Sequence, residues 1–380
     1  MALFARSDTS ILSRWWWTID RWTLLATGLL LAVGMVLIMA ASPAIAEKLD
    51  LSSYYFFQRQ TVFLIPALVI MFAISLMPPL WVRRVAFVAF GICILLLVAT
   101  LMTGNVVKGS QRWLYIAGFS LQPSEFIKPC FVVITAWALS EYHRGAGIQA
   151  IIATIVSYLV VVGLLLLQPD FGQSALITMV WISQLFLAGL PFWILGLLLG
   201  LALVGSGVAY AALDHVQQRV DRFLDPASGD NYQIDNSLEA IISGGLFGRG
   251  PGEGVVKTDL PDAHSDFIFA VAGEEFGALA CLFLVGLFAF VILRGFSRLS
   301  EEGDFFIFVA AAGLLALFGF QAFINIGVNL SLLPAKGMTL PFISYGGSSL
   351  IAVALGMGML LALTRRRAHL RTARQWRAAL

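Results

Sequence analysis

Three stretches of this sequence place ionisable side chains where almost everything around them is apolar. In Gln122-Pro123-Ser124-Glu125-Phe126-Ile127-Lys128-Pro129, Glu125 and Lys128 stand three apart and share a face of a helix. As an ion pair they remove most of each other's cost in apolar surroundings. They read either as a structural bridge that orients the helix or as a charged wall of a polar cavity. In Gln168-Pro169-Asp170-Phe171-Gly172, Asp170 reads as the cap of the helix that follows a tight turn. The third stretch, His264-Ser265-Asp266-Phe267, opens an apolar run that carries Glu274 and Glu275. At about 100° per residue, Glu274 falls about 80° round from Asp266 and Glu275 about 180°, so only Glu274 is expected to share a cavity with it. Asp266 has two readings. It is an N-cap, since Asp is favoured there. Or it is a carboxylate held near the cations Arg219, Arg222, Arg249 and Lys257, which suits a sugar hydroxyl as acceptor and a lipid phosphate as leaving group.

Other chemistries are poorly served. His215 and His264 are too few for a metal cluster. The glycines from Gly244 to Gly250 follow no strand, so they read as turns and not as a phosphate loop. Cys93, Cys130 and Cys281 lie in apolar runs without pairing or ligand spacing. Basic and acidic residues nearly balance, 24 to 22, which leaves no excess to neutralise nucleic-acid phosphates.

The elements that must position these residues are set by composition. Hydrophobic residues make up 59% of the 380 and charged residues 12%, about half of the roughly 25% usual in soluble proteins. A mean hydropathy of +0.88 at this length excludes one buried core under a solvated surface. The expected fold is an all-α polytopic membrane protein. Ten candidate spans are legible at about 22–42, 60–77, 85–102, 124–140, 148–167, 172–188, 191–211, 267–291, 305–326 and 343–364. The expected layout is a single membrane domain over 1–380. It has a cytoplasmic N-terminus at 1–21, helices 1–7 within 22–211, one large external loop at 212–266, helices 8–10 within 267–364 and a cytoplasmic basic tail at 365–380. The loop carries ten acidic and four basic residues and keeps apolar, glycine-rich stretches, so an ordered outer cap is expected. The first run is too long for a cleaved signal, and Trp15, Trp16 and Trp17 before it read as an interfacial anchor. Basic residues favour the side of the tail, fourteen to nine, which orients both termini inside. The tail reads as a contact for anionic membrane lipid.

Four ordered motifs resemble the SEDS family, named for shape, elongation, division and sporulation. They are Arg112-Trp113 with Phe119 to Phe126; Gln168 to Gly172; Ala263 to Ala270 with Glu274-Glu275; and Lys336 to Ser349. The run Lys336-Gly337-Met338-Thr339-Leu340-Pro341 resembles the division branch more than the elongation branch, which more usually has a proline before its Leu-Pro and lacks the lysine. Ser265 stands where the family usually has Thr. The resemblance implies a bacterial inner-membrane peptidoglycan glycosyltransferase acting at the septum. It would polymerise lipid II, the undecaprenyl-pyrophosphoryl disaccharide-pentapeptide.

Carried onto this sequence, the resemblance makes Asp266 the essential carboxylate. It makes Glu125 and Lys128 a paired site in a central cavity, and Arg112, Arg219, Arg222, Lys336 and Ser344 substrate contacts. Asp266 would take the proton of the acceptor 4-hydroxyl while an α-linked donor is inverted to a β-1,4 bond. Lys336, Arg219 or a divalent cation, magnesium or manganese, would stabilise the departing pyrophosphate. The implied partners are a class B penicillin-binding protein of the FtsI kind and other divisome proteins. Two rival readings are a lipid II flippase, whose head-group path the charges of Glu125 and Lys128 would line, and a division scaffold without chemistry.

Overall fold

The computed structural model describes residues 10–107, 110–116, 118–212, 217, 221, 232–334 and 337–366. Long helices stand at each expected position: α2 (Arg21–Lys48), α3 (Tyr55–Ser75), α4 (Pro79–Thr103), α5 (Pro123–His143), α6 (Ile148–Leu167), α7 (Phe171–Leu187), α8 (Phe192–Ala212), α11 (Ile268–Leu299), α12 (Phe305–Asn329) and α13 (Gly347–Leu363). A short amphipathic α1 (Ile11–Thr18) precedes them. Two small helices, α9 (Tyr232–Gly244) and α10 (Val256–Asp259), lie within the expected outer loop. Six helices are long and apolar enough to cross a bilayer: α2, α3, α4, α6, α11 and α12. Three of the remaining four have identifiable reasons to miss that standard. Helices α7 and α13 have 17 residues each, short of the usual 20 or so, and helix α5 carries Glu125 and Lys128.

The expectation of an all-α chain needs one correction. Between α4 and α5 an antiparallel sheet forms from β1 (Asn105–Val107), β2 (Ser110–Ile116) and β3 (Phe119–Leu121), in the order β1-β2-β3. Val106 pairs with Gln111, and Tyr115 with Ser120 across a turn at Gly118, whose φ is +82°. Trp113, Tyr115 and Ile116 are residue types that favour strands.

Helices α5 and α12 form the centre. Sixteen residues of α5 and eighteen of α12 are buried, among them Glu125, Lys128, Gln321, Asn325 and Asn329, which therefore face protein and not lipid. Helix α11 runs past its expected end and breaks at Gly277, where φ is +82° and ψ 177°. The break leaves backbone groups without helical partners, and the glycine-rich loop after α9 supplies them. Arg249 N and Gly250 N donate to the carbonyls of Glu274 and Glu275, at 2.9 and 3.0 Å. Ala278 N and Leu279 N donate to Gly245 and Leu246, at 2.9 and 3.3 Å. The turns expected at Gly245, Gly248 and Gly250 all have positive φ.

At the opposite end, Asp20 joins α2 to α11. Its carboxylate accepts from Arg294 Nε at 2.9 Å, Arg298 Nη2 at 2.8 Å and Thr23 Oγ1 at 3.0 Å. Burial raises the Asp20 carboxyl, but the two guanidinium groups outweigh it and hold it below the usual carboxylate range. On the same end Arg365 donates to Thr18 Oγ1 and to the carbonyls of Ser75 and Leu76. Trp15 of the expected interfacial cluster donates to Ser75 Oγ at 2.9 Å, while Arg21 lies over the rings of Trp16 and Trp17.

Candidate functional site

The four sequence motifs are far apart in the chain and meet in space. Arg112 of β2 donates from Nη2 to Pro169 O at 2.7 Å, and its Nη1 lies 3.6 Å from Asp170 Oδ1. Asp170 caps α7 as expected, accepting from Gln173 N at 3.4 Å. Burial pushes the Asp170 carboxyl up, against the pull of Arg112 and of the Gln173 amide. Arg112 is therefore engaged in holding this turn. The first motif also meets the last, because Ser348 Oγ donates to Ser120 O and accepts from Gln122 N, both at 3.1 Å.

Glu125 and Lys128 form the expected pair, with Nζ donating to Oε2 at 2.9 Å and both side chains shielded from solvent. Each has a second partner. Gln173 Nε2 donates to Glu125 Oε1 at 2.7 Å, and Lys128 Nζ donates to Gln321 Oε1 at 3.3 Å. Gln321 Nε2 in turn donates to Thr339 O at 3.1 Å, and the hydroxyls of Thr339 and Ser349 are 2.5 Å apart. A cleft of about 420 Å³, part of it open, lies beside Glu125, Lys128 and Gln321, with Phe318, Pro341 and Met357 on its apolar side. The ion pair expected as a bridge is present, and it borders a mostly apolar cleft, not the polar cavity of the other reading.

Asp266 is not the cap of α11. Phe267 holds that position, and the half-buried Asp266 precedes it in a turn whose N–H groups at Ser265, Asp266 and Phe267 all reach Asp262 O. Three consecutive carbonyls of this turn are each taken by a different donor. His264 O accepts from Tyr345 N at 2.9 Å, and Ser265 O accepts from Ser344 Oγ at 2.5 Å. Asp266 O accepts from Asn325 Nδ2 at 2.9 Å and Asn329 Nδ2 at 3.0 Å. Ser344 also accepts from Leu340 N at 2.8 Å and is buried, so it works as a link between segments. The carboxylate faces the main chain of Gly337, where an added β-carbon would lie 3.2 Å from Oδ2.

Several sequence expectations resolve differently. Glu274 does not share a cavity with Asp266. Its carboxylate accepts from Val255 N, Val256 N and Lys257 N at 2.6, 2.7 and 2.8 Å, bound at the N-terminus of α10. Lys257 pairs with buried Glu275 and donates to Ala40 O at 3.1 Å, so it is committed away from Asp266. Arg249 Nε donates to Ser243 O at 3.3 Å. Arg219, Arg222 and Lys336 lie outside the described residues, as do 367–380 of the basic tail. Among the described residues no three His, Cys, Asp or Glu side chains gather as a ligand set.

Gln321, Asn325 and Asn329 went unnoticed in the sequence. They recur every fourth position, which is one face of α12, in an otherwise apolar helix. That stripe was readable. Gln173, one turn into α7, carries a weaker signal of the same kind.

The chain as a whole is similar to known proteins. The FtsW/RodA/SpoVE family, described as cell cycle proteins, matches residues 21–369. A probable peptidoglycan glycosyltransferase FtsW of Caulobacter vibrioides (strain NA1000 / CB15N) is 48% identical over 366 residues, covering 96% of this chain and 94% of that protein. A chain from a peptidoglycan synthase complex, described as coordinating polymerization and crosslinking, superposes with a TM-score of 0.76. It is 27% identical and covers 91% of this chain and 97% of that one. The rod shape determining protein RodA of Thermus thermophilus superposes with a TM-score of 0.68 at 27% identity, covering 92% and 97%.

Proposed function

The chain belongs to the FtsW/RodA/SpoVE family of cell cycle proteins and is a multi-pass membrane peptidoglycan glycosyltransferase, and we propose that it polymerises lipid II into β-1,4 glycan strands at the division septum with Asp266 as general base. The observation that carries the assignment is the turn at Asp266. A carboxylate kept half-buried, off the cap position, with its main chain bonded at three successive carbonyls, is arranged for orientation and not for helix capping. In the proposed step the acceptor 4-hydroxyl gives its proton to Asp266 as its oxygen attacks the donor anomeric carbon. The bond to pyrophosphate breaks with its electron pair, and the sugar is inverted. The leaving group's charge falls to chain cations, for which Lys336, Arg219 and Arg222 are the candidates. The buried network of Glu125, Lys128, Gln173 and Gln321 forms the inner wall of the site.

All ten long helices are proposed as spans, in the cytoplasmic membrane, with both termini inside and residues 212–266 outside. The bonding of Thr18, Ser75 and Arg365 on one end supports this, because an even number of crossings returns the chain to its starting side. A flippase is less well supported: Glu125 and Lys128 lie in the first two turns of α5, near the end of the bundle that also holds Asp170, whereas transport sites lie near the midplane. By analogy with the peptidoglycan synthase complex, a cross-linking partner of the class B penicillin-binding kind is proposed.

Asp266→Asn tests the assignment. Asn caps about as well as Asp, so a capping role leaves the rate near normal. Loss of the general base lowers glycan synthesis by about 10²–10⁴-fold, with lipid II binding kept. A folded Asp266→Asn protein that makes long strands at the normal rate removes Asp266 from the mechanism.

A further inference from the structure

The carbonyl of Asp266 is not used by its own helix. The first bonds of α11 run from Ala270 N and Val271 N to Phe267 O, at 3.0 and 3.3 Å. Side chains from α12 take the Asp266 carbonyl instead, and Asn325 does so in a way that Asn329 does not. Asn325 Nδ2 donates at 2.9 Å to Asp266 O and at 2.6 Å to Met338 O. Met338 follows Gly337, the residue whose main chain faces the Asp266 carboxylate. One buried amide thus ties together the two main-chain segments that meet at the reacting group. Its orientation is fixed by its surroundings, since two carbonyl oxygens accept only from the NH₂ end. Asn329 has a different task, accepting from Ala270 N through Oδ1 at 3.1 Å and so steadying the first turn of α11.

We propose that Asn325 is a positioning residue for glycosyl transfer, setting the Asp266 main chain against the Gly337–Met338 segment so that the carboxylate is aimed before substrate arrives. This rests on Asp266 being the general base. A buried amide in an otherwise apolar helix is costly unless its polar atoms are partnered, and filling space between α11 and α12 needs only a leucine. A buried amide that bridges two backbones instead fixes relative position. A displacement of about 1 Å at a reacting group costs on the order of 10²-fold in rate.

The test uses the full chain in lipid vesicles with labelled lipid II, and compares Asn325→Ala with wild type as kcat per folded molecule and as KM. Positioning predicts a fall in kcat of at least about 10-fold with KM within about twofold. A packing role predicts loss of folded protein with kcat per folded molecule unchanged, and that result overturns the proposal. So does a KM that rises in step with the loss of rate. Should Asn325→Ala fail to accumulate, Asn325→Ser, smaller but still polar, takes its place and is judged by the same split. Asp266→Asn is measured alongside. If it stays active, the base assignment itself fails. An inactive Asp266→Asn beside an unaffected Asn325 variant sinks the positioning role alone.

Discussion

Lys128→Met removes the cation of the Glu125–Lys128 pair while keeping most of its volume. Both side chains are shielded, at 2% and 4% relative exposure, so the carboxylate left behind is poorly hydrated. Breaking a buried pair from one side costs about 3–5 kcal/mol. Two features of this site temper that figure. Gln173 Nε2 still donates to Glu125 Oε1, and a hydrogen bond to a charged group is worth about 1.5–3 kcal/mol. Gln321 loses Lys128 but keeps Thr339. The expected loss is therefore at the low end, about 3 kcal/mol. In the double variant Glu125→Gln/Lys128→Met no charge is stranded, and the loss falls to about 1 kcal/mol, about 2 kcal/mol less than for Lys128→Met alone. The assay is thermal unfolding of each purified variant in detergent, with glycan synthesis measured in parallel. A double variant no more stable than Lys128→Met refutes the reasoning. One that regains stability without regaining synthesis identifies the pair as part of the site as well as of the fold.

Other outcomes follow from particular contacts. Gly277→Ala should destabilise by at least about 1–3 kcal/mol from its left-handed backbone alone, with a further penalty because the new methyl meets Gly248 N and Leu246 O; Gly286→Ala, on the same helix with open space around it, should be near neutral in the same unfolding assay. The Asp20 carboxyl is held below its ordinary value, so the stability it contributes is full above the ordinary Asp range and is lost as pH falls through the lowered value. Thermal stability of wild type and Asp20→Asn should accordingly converge on acidification. A reporter fused after Gly229 should behave as periplasmic and one after Arg298 as cytoplasmic, and reversal of either overturns the proposed orientation.

The helices were legible because apolar runs of about 20 residues have few alternatives to crossing a membrane. Asp170 as a cap and Glu125 with Lys128 as a pair followed from local spacing, which a single helix enforces. The sheet was not seen: β2 is part of a segment flanked by helices, and its strands are held by partners only a turn away. Glu274 was misplaced because helical angles describe one helix, whereas its three donors come from the loop before it. The capping reading of Asp266 failed for a similar reason, since α11 begins two residues later than Asp266 and its turn is fixed by Ser344, Tyr345 and Asn325 from elsewhere. Pairwise spacing finds charges that meet along a helix. It does not find an amide that meets a carbonyl across one, although the repeat of Gln321, Asn325 and Asn329 marked the face where such meetings occur.

The break in α11 also bears on biogenesis. Residues 245–250, which bond the interrupted backbone on both sides of Gly277, precede that helix in the chain. They leave the ribosome first and, on the proposed orientation, are waiting on the outer side when the break arrives. A helix interrupted in this way cannot mature alone in lipid, because each bare peptide group there costs several kcal/mol. Its release into the bilayer is thereby tied to prior delivery of the outer loop. Delaying translocation of residues 232–250 should leave newly made chains stalled with α11 unreleased, a quality-control point written into the order of synthesis.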